Sequence, residues 1–231
     1  MAIQALPDLG RVIYEPSPTF SRLRDKTNGW VPLLVLILLS CIVSYWWIAT
    51  EDFAWLRDHM VAGRPDLKPE AREAMAKFMT PTAMLLSTLG GTIVGLPVVY
   101  ACIAAYYLLA SRMMDSQIGY ARWFGFVAWV SVPRLLVIPL TALQIATSHG
   151  QLAPEDMNMV SLNYLAFHLP MSAPWGSLLN SLDLTSIWTF ALAAIGLKAW
   201  TGRPTGTCVF VAALPYVVIY GLWATKIAVL G

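Results

Sequence analysis

Two side chains in this sequence stand where a charge is expensive. Arg134 interrupts an apolar run from Trp123 to Ala146, and Asp183 heads another that runs uncharged to Lys198. A charge near the bilayer centre costs several kcal/mol even on the mildest insertion scale, so it needs a partner or a wet cavity. Helix geometry supplies a candidate partner. Arg134 lies 12 residues beyond Arg122, about 18 Å at the helical rise. Asp183 lies 15 residues before Lys198, about 22 Å on the same scale. With Arg122 and Lys198 at one interface, the two side chains fall within about a helical turn in depth. The spacing predicts an Arg134–Asp183 ion pair joining two spans. The alternatives are a polar cavity with a transport or gating role, and an arginine that snorkels to the interface. Pro133 withholds the helical donor from the Trp129 carbonyl and so offers the guanidinium a second acceptor.

The search for other chemistry is short. His59, His149 and His168 fall in loops without ligand spacing, and no HExxH motif, phosphate-binding loop or GxSxG elbow is present. Cys41, Cys102 and Cys208 lie in apolar stretches with no CxxC, a pattern of packing residues rather than a disulfide framework. Asp183 is the one carboxylate expected to enter the apolar core, so a two-carboxylate mechanism lacks its second member. No catalytic, cofactor-binding or metal-binding residue is assigned, and the chain reads as a non-enzyme. Architecture has more candidates. Gly91 and Gly95 form a GxxxG that lets a backbone approach closely, expected to be a packing face within the chain. Pro97 and Pro139 predict kinks in the second and third spans.

The elements that position these residues follow from where charges are missing. Of 231 residues, 58% are hydrophobic and 12% charged, about half the usual charged share of a soluble domain. That excludes a soluble enzyme, a disordered tail and a secreted disulfide module, and a net charge of +2 gives no case for nucleic acid. Roughly 20 apolar residues cross a bilayer core. The sequence predicts an all-α polytopic membrane bundle with five spans, near 29–50, 81–110, 123–146, 177–200 and 205–228. They form a single membrane domain over 29–231, preceded by a cytoplasmic segment over 1–28. That segment has no apolar core of the kind a cleavable signal peptide needs. The fourth span is set to start at Ser177, because Asp183 to Lys198 leaves only 14 uncharged residues. With the N-terminus inside, eight Lys/Arg lie in inner segments against six outside, which favours a cytoplasmic N-terminus and an outer C-terminus. The stretch 51–80 is expected to be helical, with Pro69-Glu70 opening one segment and Phe53, Leu56 and Met60 forming a stripe on another.

The runs Leu182-Asp183-Leu184 to Gly196-Leu197, Pro16 to Phe20 and Ser131-Val132-Pro133-Arg134-Leu135-Leu136 resemble motifs of the YIP domain family of Ypt-interacting-protein-like membrane proteins. The run Leu182-Asp183-Leu184 through Ile187-Trp188 to Ile195-Gly196-Leu197 is similar to the opening of that family's fourth span. Pro16 and Phe20, within Tyr14-Glu15-Pro16-Ser17-Pro18-Thr19-Phe20, resemble its Pro-x-x-x-Phe element. Ser131-Val132-Pro133-Arg134-Leu135-Leu136 resembles its Ser-x-Pro-x-Leu-Leu third span. The resemblance implies a non-enzymatic helical membrane protein in contact with the lipid bilayer and with other integral membrane proteins. Eukaryotic relatives serve vesicle traffic with Rab-type GTPases, but their longer N-terminal region and Asp-Leu-Tyr-Gly-Pro-type element are missing here. The compact form resembles the bacterial branch of the inner membrane. Some of its members accompany an ABC-type efflux permease and its adaptor, so an accessory subunit is implied. A small channel or transporter using Arg134 and Asp183 is the other reading of the residues themselves.

Overall fold

The computed structural model describes residues 2–26, 28–64 and 68–230. Its described residues are helical apart from turns and one isolated antiparallel bridge. Four helices are long and apolar enough to cross a membrane: Trp30–Thr50, Pro81–Met113, Tyr120–Thr147 and Thr205–Val229. Three of them follow from an uncharged run longer than the ~20 residues a bilayer core requires, and Tyr120–Thr147 from an apolar run that Arg134 alone interrupts beyond Arg122. In chain order the helices are α1 (Ala2–Tyr14), α2 (Pro16–Lys26), α3 (Trp30–Thr50), α4 (Phe53–Ala62), α5 (Pro69–Phe78), α6 (Pro81–Gly90) and α7 (Leu96–Met113). They continue as α8 (Tyr120–Val130), α9 (Val137–Thr147), α10 (Gly176–Ser181), α11 (Leu184–Thr201) and α12 (Thr205–Leu230).

Two of the long helices are irregular beside prolines. A π turn, Gly91–Gly95, joins α6 to α7 just ahead of Pro97. Pro97 has no N–H to return to Ile93, so the ladder widens there instead of breaking. A 3-10 turn, Val132–Leu136, joins α8 to α9 around Pro133, which likewise has no N–H to return, and here the winding tightens. Pro139 lies at the third position of α9, where a missing N–H costs little. Pro215 sits inside α12.

The helix expected from Ser177 does not form as one piece. The chain breaks between α10 and α11 at Leu182 and Asp183. Leu162 N donates to Leu182 O at 2.7 Å, and Leu184 N donates to Val160 O at 3.2 Å. These tertiary bonds form an antiparallel bridge between Ser161 and Asp183 and take backbone groups away from a continuous helical ladder. α11 therefore starts at Leu184 and has 18 residues.

The chain divides into two compact units. The first takes residues 1–38, 94–135 and 185–222. Its core is aromatic: Phe20, Tyr107, Trp123, Phe126 and Trp200 are all buried. Trp200 sits 5.4 Å from Trp123 and 5.0 Å from Phe126 by ring centroids, and its Nε1 donates to Phe20 O at 2.9 Å. Gly196 leaves the room these rings need, since a Cβ there would lie 2.6 Å from Phe126 and 3.1 Å from Phe20. The N-terminal segment contributes to this core through its described side chains between residues 6 and 25. α1 and α2 are helical, Val12 and Phe20 are fully buried, and Asp8 bridges Arg22 at 3.0 Å.

The second unit takes residues 39–93, 136–184 and 223–231. Trp47, Ile48, Leu56, Ile145 and Leu152 form its buried cluster, with Phe53 and Met60 from α4 packed on it. Trp47 Nε1 donates to Leu152 O at 3.2 Å, and Leu152 N reaches the Glu51 carboxylate at 3.2 Å. Asp52 caps α4, accepting from Ala54 N and Trp55 N, which satisfies donors that every helix start leaves open. α5 opens on Pro69 in the stretch expected to be helical.

Candidate functional site

Within the first unit a cavity of about 220 Å³ opens beside Arg134. α7 supplies Val99, Tyr100 and Tyr107, and the end of α8 with the 3-10 turn supplies Ser131 and Arg134. Thr189 and Ala193 come from α11, and Pro215 and Tyr216 from α12. The 3-10 turn matters for the arginine. Arg134 N bonds to Ser131 O at 3.1 Å, and the tighter winding changes which side of the span the next side chains face.

The polar lining is sparse and poorly satisfied. Tyr100 is 2% exposed and Thr189 6%, yet neither hydroxyl meets a hydrogen-bond partner in good geometry. The Tyr100 hydroxyl lies near Ser131 and within the field of Arg134, but Ser131 Oγ spends its own proton on Val127 O at 2.8 Å. A buried hydroxyl without a partner costs on the order of 1–3 kcal/mol, so two in one cavity need an explanation. No carboxylate is among the described residues that line the cavity, and among the described residues of this unit no hydrogen bond or ion pair engages the Arg134 guanidinium.

Asp183 belongs to the second unit, where it accepts from Asn158 Nδ2 at 3.0 Å. Arg134 and Asp183 thus lie in different units, and their pairing stands as an inference from depth. Gly91 and Gly95 lie in the π turn, where an added Cβ would meet nothing within 4 Å. The packing face expected there within the chain stands as an inference from their spacing. Pro16 opens α2, and Trp188 on α11 is 40% exposed. Tyr100, Thr189 and Tyr216 were not singled out by sequence. Their only signal is a hydroxyl in an apolar helix, which alone is commonplace.

A second polar cluster lies in the second unit, where α4 meets the 3-10 turn Pro154–Asp156. His59 Nε2 meets Glu155 Oε1 at 2.8 Å, and the Trp55 ring stacks on the imidazole at 5.1 Å. Among the described residues no group of three or more His, Cys, Asp or Glu side chains is placed to hold a metal ion. Burial first, and then the neighbouring Glu155 charge, push the Asp156 carboxyl above its usual value of 3.8. An acid whose folded pKa is raised binds more protons folded than unfolded, so stability falls as pH rises above 3.8 through the folded value. Asp156→Asn is therefore expected to raise the melting temperature slightly at pH 7, with the gain shrinking towards pH 4. Thermal unfolding in mild detergent at both pH values checks this, and a loss at pH 7 contradicts it.

Apolar helices of spanning length, around a cavity with one cation and two unsatisfied hydroxyls, define a multi-pass integral membrane protein in contact with the bilayer. The Yip1 domain model matches residues 10–225, and the chain belongs to that family. It is also similar to "Membrane protein YknW" of Bacillus subtilis (strain 168), 24% identical over 200 residues, covering 85% of this chain and 79% of the relative. No solved structure matches the chain.

Proposed function

We propose that this protein is a non-enzymatic accessory or scaffold subunit of the cell membrane that docks other integral membrane proteins, such as an ABC-type permease and its adaptor. One observation supports the reading most. On the long helix Pro81–Met113 the glycines at 90, 91 and 95 face open space. Each glycine destabilises a helix by about 1 kcal/mol relative to alanine, and a Cβ on any of the three would meet no described residue within 4 Å. A neighbouring helix from another protein would use that space, because small residues are what allow transmembrane backbones to approach closely. Exposed Leu86, Ile93, Val94 and Val98 flank these glycines with apolar surface suited to packing.

The same proposal takes α11 as a fifth span, since its 18 residues extend about 27 Å, close to the ~30 Å hydrocarbon core. It takes the N-terminus as cytoplasmic and, in bacteria, the inner membrane as the site.

Affinity purification in mild detergent with mass spectrometry tests the scaffold. A stoichiometric membrane partner is expected to co-purify, and Gly91→Leu with Gly95→Leu is expected to release it at least about tenfold while the melting temperature holds. Replacing residues 51–80 separates docking through the loops from docking through the helix. Recovery of this chain alone overturns the proposal.

A further inference from the structure

The cavity beside Arg134 has no role in docking along the glycine face, and its chemistry points to a ligand. We propose that it binds the head of a single-chain carboxylic amphiphile, with the carboxylate on the Arg134 guanidinium and the Tyr100 and Thr189 hydroxyls completing the site.

Charge sets the sign of the ligand. Among the described residues that line it, the cavity holds one cation and no carboxylate, and a guanidinium presents planar donors that match a carboxylate with two parallel bonds. Its five N–H groups can serve a ligand and a protein acceptor together. Burial sets the polarity of the rest. Tyr100 and Thr189, each more than nine-tenths buried, have unpartnered hydroxyls lining the same space. A carboxylate oxygen would accept from both.

Depth decides between two anionic heads. Arg134 is residue 15 of the 28 in the helical stretch Tyr120–Thr147, which puts it near the middle of the span. A phosphodiester keeps its charge at all relevant pH values and stays at the interface. A carboxylic acid can shed its charge, enter neutral, and ionise once it lies beside a fixed cation. The depth therefore favours a weak acid over a phospholipid headgroup.

Size and mouth decide the tail. A volume of about 220 Å³ lies below the usual range for sites that enclose a whole drug-sized ligand. It accommodates a head and the start of one chain, not two acyl chains. Val99 and Ile219 line the cavity and are more than half exposed, so the remaining chain can leave between them into lipid.

Native mass spectrometry of the full chain in mild detergent, with oleic acid, methyl oleate or phosphatidylglycerol added, tests the assignment. A one-to-one oleic acid adduct is expected, with methyl oleate and phosphatidylglycerol giving none. Arg134→Gln should weaken it about tenfold or more, and Tyr100→Phe by several-fold. Val99→Trp changes an exposed position and should block the mouth with the melting temperature intact, so the test survives if Arg134→Gln fails to fold. Equal binding of the methyl ester, or oleate binding unmoved by Tyr100→Phe and Val99→Trp in folded protein, overturns the proposal. Phosphatidylglycerol binding that depends on Arg134 also overturns it, because the source would then be a bilayer phosphate. The outcome is independent of whether a partner co-purifies.

Discussion

Gly29→Ala is expected to destabilise the protein by about 3 kcal/mol or more, the upper end of what overpacking costs. A Cβ on Gly29 would fall onto the Gly125 backbone, with Gly125 N only 3.1 Å away. A flexible side chain can swing aside from such a contact. A peptide backbone inside α8 cannot, so the start of α3 would have to move away from α8. The expected result is a sharp drop in melting temperature in mild detergent, together with a lower yield of folded protein. Gly206→Ala is the control, since a Cβ there meets nothing within 4 Å. It should leave the melting temperature unchanged or slightly raised, as alanine favours helix by up to about 1 kcal/mol. Wild-type melting of Gly29→Ala would falsify the close approach.

Trp200→Ala should cost about 3–5 kcal/mol, the usual range for emptying a buried aromatic site. The indole touches Trp123 and Phe126 at once and also bonds to the Phe20 carbonyl. Trp200→Phe separates the two contributions. It retains most of the ring packing but loses the Nε1 donor, which is worth about 1–3 kcal/mol where the acceptor stays buried. Unfolding should thus rank wild type above Trp200→Phe above Trp200→Ala. Equal losses in the two variants would show that the hydrogen bond, not the packing, holds α11 to α2.

The long helices were legible because a bilayer demands a run of uncharged residues that few other structures need. Trp30–Thr50, Pro81–Met113 and Thr205–Val229 emerge from that one requirement, and Tyr120–Thr147 does so once Arg134 is admitted inside its apolar run. The start of α11 was not legible. Residues on both sides of Asp183 favour helix, and the break comes from backbone bonds to Val160 and Leu162 some 20 residues away. The N-terminal helices were missed for a different reason. A scan for long apolar runs discounts short amphipathic segments, although Val12, Phe20 and Leu23 mark the buried stripe.

The candidate site divides along the same line. Arg134 announces itself because its charge is costly in an apolar run. Tyr100 and Thr189 do not, because one hydroxyl in a helix is cheap until burial removes its partner. Glycines show what motif spacing alone can miss. Gly29 has no motif, yet it lies against a neighbouring backbone. Gly196, expected as a packing position within the run that resembles the family, makes room for two aromatic rings.

The π turn at Gly91–Gly95 bears on how this helix can change length over evolutionary time. A π turn holds one residue more than the α turn it replaces. Losing one residue there closes the turn to α geometry and keeps every later side chain on its original face. Elsewhere in an α-helix, a one-residue loss rotates all that follows by about 100°. Within Pro81–Met113, residues 91–95 are thus where family members can differ by a single residue while still presenting Tyr100 and Tyr107 to the same cavity.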